Sequence, residues 1–277
     1  MNFLNPRIKD LQQLAKDKQE EYLNAAPFPN IVFDDFFNEE MLSQVLADFP
    51  DLSTKQDVKF YDNKNEKNKL EAKGEKHFSD ITKAFVHYLN SEPMLEFLQE
   101  LTGIKETLLS DPYLLGGGYH EIKPGGLLKV HADFNKHELT WIDRRINLLV
   151  YLNKDWDESY GGHFELWDKD MTKSYHRVLP VFNRIAIFST TDFSYHGHPN
   201  ALACPPDRSR KSLALYYYSN GRPKSEVSRN AHATLFKDRA GVTGDTIKEP
   251  VTLKDVIREL TPPIIYNSIK KMVKGDR

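Results

Sequence analysis

Three short segments hold side chains whose types and spacing could do chemistry: His131-Ala132-Asp133, Ser194-Tyr195-His196-Gly197-His198 and Arg210-Lys211-Ser212. Two imidazoles and one carboxylate can occupy one face of a redox-active divalent metal and leave its other positions open. In an extended strand the side chains at i and i+2 share a face, so His131 and Asp133 can reach one ion. His196 and His198 are also two apart, and alternation leaves either of them available as the third donor. Arg210, Ser212, Ala214 and Tyr216 fall on one face of a strand, while Leu213, Leu215 and Tyr217 fall on the other. A guanidinium entering an apolar strand needs an anion, and a hydroxyl beside it makes a site for a carboxylate. Each motif alone has a plainer explanation: a surface His near an Asp, histidines filling a polar turn, an Arg paired with an internal acid.

The elements that must position these residues are short and strand-like. From about Leu108 to Asn220 the chain reads as β-runs, among them Leu127–Val130, Ile146–Leu152, His163–Trp167, Arg184–Phe188 and Ser212–Tyr218, punctuated by Gly125-Gly126 and Gly161-Gly162. Such spacing predicts an antiparallel sandwich or barrel. Ahead of it, Ile8, Leu11, Leu14 and Ala15 recur at helical spacing between Pro6 and Tyr22. Asn38 then caps a helix with the apolar face Met41, Leu42, Val45, Leu46 and Phe49, and a helical pair is expected at 77–90 and 92–101. Lys55 to Lys76 is crowded with charge, which predicts an exposed excursion or mobile loop. Two helices, Leu253–Leu260 and Ile264–Val273, are expected around Pro262-Pro263.

Length and charge narrow the class. With 277 residues the chain can bury a full core. Thirty-eight basic against forty acidic residues, a formal charge of -2, give no reason to expect a nucleic-acid partner. The single cysteine, Cys204, excludes an internal disulfide and suits a reducing compartment. With no apolar run of membrane-spanning length and no signal-peptide pattern at the start, a cytoplasmic location is expected and no membrane partner.

Taken together, the order H-x-D, H, R-x-S resembles that of the Fe(II)- and 2-oxoglutarate-dependent dioxygenases, the prolyl 4-hydroxylase-like branch in particular. Pro27 to Phe37 is similar to the opening strand of that branch, Arg145 to Asn153 to its R-x-N-L-x-x-Y-L-N strand, and Gly161 to Leu166 to its G-G-x-L-x-L turn. The likeness covers roughly Phe28 to Ser219. It implies a mainly β fold with flanking helices and a double-stranded β-helix core, the jelly-roll or cupin-like architecture. The organisation expected is an N-terminal helical segment 1–24, a dioxygenase domain 25–220 with its core at about 106–220, and a C-terminal helical extension 221–277.

The resemblance also implies roles. His131 and Asp133 correspond to the proximal iron ligands, and His196 to the distal one, because Ser-Tyr-His matches a Ser-aromatic-His run in the branch. Arg210 corresponds to the residue that pairs with the distal carboxylate of 2-oxoglutarate, and Ser212 to its hydroxyl neighbour. Two features depart from the pattern. Ile122 stands where many relatives place a cosubstrate-binding tyrosine, for which His120 or Tyr119 would have to substitute, and the interval from His196 to Arg210 is long. The implied reaction is hydroxylation of a C–H bond, of a prolyl residue in a peptide or protein or of a free amino acid or other small molecule. It consumes dioxygen and 2-oxoglutarate, yields succinate and carbon dioxide, and has ascorbate as a further cofactor to expect. Trp141, Tyr151, Trp167 and Tyr216 are candidate pocket walls. The competing classes are a non-catalytic jelly-roll metal-binding or interaction protein and a zinc hydrolase using the same His/Asp/His set, neither of which accounts for Arg210 and Ser212.

Overall fold

The computed structural model describes residues 2–226, 231–242 and 245. Local signals start and stop its helices. Asp10 caps α1 (Leu11–Asn24) by accepting from the Gln13 N–H, Asn38 caps α2 (Glu39–Ala47) through the Met41 N–H, and Ser79 caps α3 (Asp80–Leu89). The last helix, α4 (Glu92–Thr102), carries a proline in its first turn and ends at Gly103, whose φ of 65° is the left-handed closure that glycine permits. Phe36, Phe37, Phe85 and Phe97 from this layer pack on Ile146, Leu148, Ile187, Leu213, Leu215 and Tyr217 of the sheet. The 213/215/217 face therefore meets the helices, and the face carrying Arg210 and Ser212 points the other way.

The sheet is antiparallel throughout. Its main order is β1 (Asn30–Phe33), β9 (Ile185–Ser189), β6 (Asp143–Tyr151), β11 (Arg210–Ser219), β5 (Gly118–Ala132), β10 (Tyr195–His198), β7 (Phe164–Trp167) and β8 (Ser174–Val178). On its flanks, β2 (Lys59–Tyr61) pairs with β3 (Glu66–Ala72), β3 with β5, β4 (Leu108–Leu109) with β11, and β12 (Leu235–Phe236) with β5. The pivot is β5. Its first residues, Gly118 to Ile122, pair with β11, and its last turn toward β10, where His131 lies opposite His196. One strand shared in this way curls the sheet into a jelly-roll core.

Two expectations are corrected. The charged run from Lys55 to Lys76 is not an excursion: it contributes β2 and β3, and Lys69 and Glu71 are buried. Its charges can be inside because they neutralise one another, Lys69 Nζ lying 2.8 Å from Glu66 and 3.6 Å from Glu71. The segment after residue 220 is not wholly helical either, since Leu235 and Phe236 pair with Ala132 and His131 of β5. The chain forms two compact units, Met1–Ala240 and Gly241–Arg277. The first includes the N-terminal helix, which packs on α4. The helices expected at Leu253–Leu260 and Ile264–Val273 lie outside the described residues. Among the described residues, no helix is long and apolar enough to cross a membrane.

Candidate active site

His131, Asp133 and His196 converge, with one potential ligand atom from each lying within 4.8 Å of the others. Strand pairing brings the imidazoles together, since their residues are directly opposed and the rings stand 4.5 Å apart. Gly197 allows that approach, because a Cβ there would come within 2.8 Å of the Leu128 carbonyl oxygen. Each ring is held by a short loop back to its own chain: His131 Nδ1 donates to the Lys129 carbonyl at 2.8 Å and His196 Nδ1 to the Ser194 carbonyl at 2.9 Å. A carbonyl can only accept, so the proton sits on Nδ1 and the Nε2 lone pairs face inward. Both Nε2 atoms lie 3.5 Å from the Asp133 carboxylate. Burial pushes the His196 imidazole down to about 4. Burial raises Asp133, but Arg144 and the two imidazoles outweigh it and hold the carboxyl well below its ordinary range. Two imidazoles with Nε2 turned inward and a fixed carboxylate, with room beside them, suit a non-haem iron.

The anchor of the carboxylate, missing from the sequence reading, is Arg144. Its Nη2 donates to Asp133 Oδ2 at 3.0 Å, Asn147 Nδ2 donates to the same oxygen at 2.7 Å, and Arg144 Nε donates to Asn147 Oδ1 at 2.9 Å. The guanidinium lies 3.4 Å from the Tyr216 ring centroid and 4.3 Å from that of Phe134. Simple alternation would not put positions 144 and 147 on one face, but the register between β6 and β11 shifts between Tyr217 and Tyr218. That bulge turns Arg144 inward and leaves Arg145 to pair with Glu106 and Glu226.

Arg210 sits at the start of β11, opposite Ile122 of β5, and is 6 % exposed. Its Nε donates to the Gly162 carbonyl at 2.8 Å, its guanidinium lies 5.1 Å from the Tyr151 ring centroid, and no carboxylate of the described residues pairs with it. Burial lowers its pKa, with Tyr151 offsetting part of the shift. Gly162, at φ 72°, leaves space for this side chain, since a Cβ there would stand 3.1 Å from Arg210 Cδ and 2.6 Å from Leu202. Ser212 is buried on the same face, in register with Tyr151 and His120. Among the described residues, the Tyr151 hydroxyl and both nitrogens of His198 are buried without a hydrogen-bond partner.

One cavity of about 960 Å³ reaches all of the predicted site residues: His131, Asp133, His196, Arg210 and Ser212. His198 lines it too but stands outside the metal-binding cluster. Of the expected walls, Tyr216 lines the cavity and Trp141 stands at it while remaining 66 % exposed. Trp167 instead donates to Glu165, and Tyr151 acts through Arg210. Tyr119 does not line the cavity, because its hydroxyl donates to Thr82 and its ring packs on Phe49 and Phe78. His120 does line it, with its Nε2 given to the Gly116 carbonyl. The β2–β3 hairpin supplies a further wall through Lys59, Tyr61, Glu66, Lys69 and Glu71.

The jelly roll thus gathers two histidines and an aspartate in one cavity with an arginine that has no carboxylate partner among the described residues. Residues 117–218 match the model of the 2OG-Fe(II) oxygenase superfamily. Among solved structures, it is similar to a prolyl hydroxylase from Trichoplax adhaerens in complex with a hypoxia inducible factor peptide fragment, at TM-score 0.57 and 16 % identity over 77 % of this chain and 92 % of that one. It is also similar to a Pseudomonas putida prolyl-4-hydroxylase, at TM-score 0.54 and 15 % identity over 76 % and 100 %. A third is HygX from Streptomyces hygroscopicus with nickel and 2-oxoglutarate bound, at TM-score 0.51 and 11 % identity over 79 % and 96 %. No curated protein matches the sequence.

Proposed function

We propose that this protein is an Fe(II)- and 2-oxoglutarate-dependent hydroxylase, with a prolyl residue of a peptide or protein, or a free amino acid, as its substrate. His131, Asp133 and His196 would hold the iron, which supplies oxidation of a C–H bond by dioxygen coupled to decarboxylation of 2-oxoglutarate. The protein's own part is positional. Backbone carbonyls fix both imidazole tautomers, while Arg144 and Asn147 hold the carboxylate ionised and oriented. Arg210 binds the distal carboxylate of the cosubstrate with Ser212 beside it, and the walls of the cavity exclude bulk water. The observation that carries the reading is the buried Arg210, left without a carboxylate in the same cavity as a His/Asp/His cluster. The prolyl choice is supported by the likeness to the Trichoplax and Pseudomonas enzymes.

The test is succinate release from 2-oxoglutarate under air, with Fe(II) and with ascorbate as accessory reductant. Candidate peptides and amino acids are then screened for a gain of about sixteen daltons, the mass of one oxygen atom. Succinate formation that needs Fe(II) and vanishes in His131→Ala is expected. Equal turnover with zinc and no 2-oxoglutarate would replace the proposal with a hydrolase. Loss of iron binding in His198→Ala but not in His196→Ala would move the distal ligand.

A further inference from the structure

We propose that His198 is a cosubstrate-binding residue: its imidazole donates a hydrogen bond to the distal carboxylate of 2-oxoglutarate, alongside Arg210. The inference rests on the reading of the cavity as a 2-oxoglutarate site and adds to it a residue from a different strand.

The three histidines near the metal cluster are not treated alike by the fold. His131 and His196 each spend one nitrogen on a backbone carbonyl, whereas His198 spends neither. Its ring is 3 % exposed and lies on β10 opposite Leu128. An imidazole buried with both nitrogens unpaired bears the full cost of their desolvation, so the position is a poor one for a merely structural side chain. What surrounds it supplies a reason. It lines the same cavity as the Arg210 guanidinium, and its ring has an N–H to offer there. Tyr151, which lies against Arg210, has a buried hydroxyl with no partner. Among the described residues, Arg210 gives its Nε to the Gly162 carbonyl and meets Tyr151, and no carboxylate pairs with it.

Three strands thus contribute donors that lack acceptors: β11 with Arg210, β6 with Tyr151 and β10 with His198. A neutral ligand would leave the guanidinium uncompensated. A carboxylate offers two oxygens and about four acceptor directions, enough for a charged fork and two further donors. No acidic side chain of the described residues fills that role at Arg210, so the acceptor is expected to arrive with the ligand.

The experiment uses the full chain loaded with Mn(II), without oxygen, and measures binding of 2-oxoglutarate and of 2-oxovalerate by calorimetry. The second ligand keeps the 2-oxo acid end and the chain length but has a methyl group in place of the distal carboxylate. His198→Leu is expected to weaken 2-oxoglutarate about tenfold, the worth of one hydrogen bond to a charged group. Its 2-oxovalerate and Mn(II) affinities should stay within about twofold of the parent, as for a contact made only by the missing carboxylate. His198→Asn, which keeps a donor, should recover most of the loss. His198→Met takes the place of the leucine variant if that one fails to fold. Parent-like 2-oxoglutarate binding in His198→Leu, with binding still lost in Arg210→Ala, would overturn the inference and leave the cosubstrate site standing. An equal loss for both 2-oxo acids, or loss of Mn(II), would also overturn it, by making His198 structural or a metal ligand. If the parent protein binds the two 2-oxo acids equally and Arg210→Ala changes neither, the cosubstrate reading itself fails.

Discussion

Arg144 and Arg210 are both buried in the wall of one cavity, and the fold balances them in opposite ways. Arg144, 1 % exposed, faces Asp133 across a 3.0 Å ion pair and lies between the rings of Phe134 and Tyr216. Burial alone would lower its pKa, but Asp133 and the neighbouring tyrosines raise it. Arg210 has a carbonyl and a tyrosine ring, no carboxylate among the described residues, and a lowered pKa. Both charges bear desolvation, yet only one is compensated by the protein. Arg144 is therefore matched by a carboxylate of the protein itself, and on the function proposed above Arg210 is matched by the cosubstrate.

The strongest way to break this comparison is to remove Asp133. Asp133→Ala is expected to abolish metal binding and to cost about 3–5 kcal/mol of folding stability, because it leaves Arg144 buried and uncompensated. Metal titration and urea unfolding would check both, and a variant of parental stability would mean that Arg144 reaches solvent or another acid. Next in size, Arg210→Met should weaken 2-oxoglutarate by about 2–4 kcal/mol. It should leave the ligand-free protein at least as stable as the parent, since an uncompensated buried charge disappears. Lower stability in the ligand-free variant would show that Arg210 is balanced internally after all.

Acid sharpens the contrast, because each region holds one imidazole that burial pushes down to about 4: His196 near Arg144 and His120 in register with Ser212. Between the ordinary value of 6.5 and about 4, the unfolded chain takes up protons that the folded one refuses. Stability of the metal-free protein should therefore fall as the pH drops through that window, by about 1.4 kcal/mol per pH unit for each group. Urea midpoints at pH 7 and pH 5 measure this, and His120→Gln should remove its own share only. The smallest effect is expected at the cavity mouth, where Trp141→Ala should change stability by no more than about 0.5 kcal/mol and leave 2-oxoglutarate affinity alone. A rise in KM for the oxidised substrate would mark Trp141 as part of its entrance.

Spacing within a single strand is what the sequence reveals best. His131 and Asp133 are two apart, and the faces of β11 follow strict alternation, so their convergence and the inward face of Arg210 could be read directly. Arg144 could not, because it stands beside Arg145 and only the bulge against β11 decides which of the two turns inward. The hairpin was hidden for a different reason: its charges suggest solvent, and they enter the wall only because Glu66, Lys69 and Glu71 meet one another. Pairing of that kind is a property of register, which composition does not carry. The choice between His196 and His198 rests on a similar detail, the 2.9 Å tether of His196 to Ser194 against two bare nitrogens in His198.

The opposition of His131 and His196 across β5 and β10 means that the donor geometry is set by the backbone ladder before any ion arrives. A site assembled in this way owes little to the metal for its shape, and metal binding need not be coupled to folding as it is in small metal-nucleated domains. The same ladder makes the site brittle to sliding. A shift of β10 by one residue would present Gly197 to His131 and turn His196 to the other face, so the close passage of Gly197 over the Leu128 carbonyl acts as a ratchet tooth that holds the two strands in the one alignment where three donors meet.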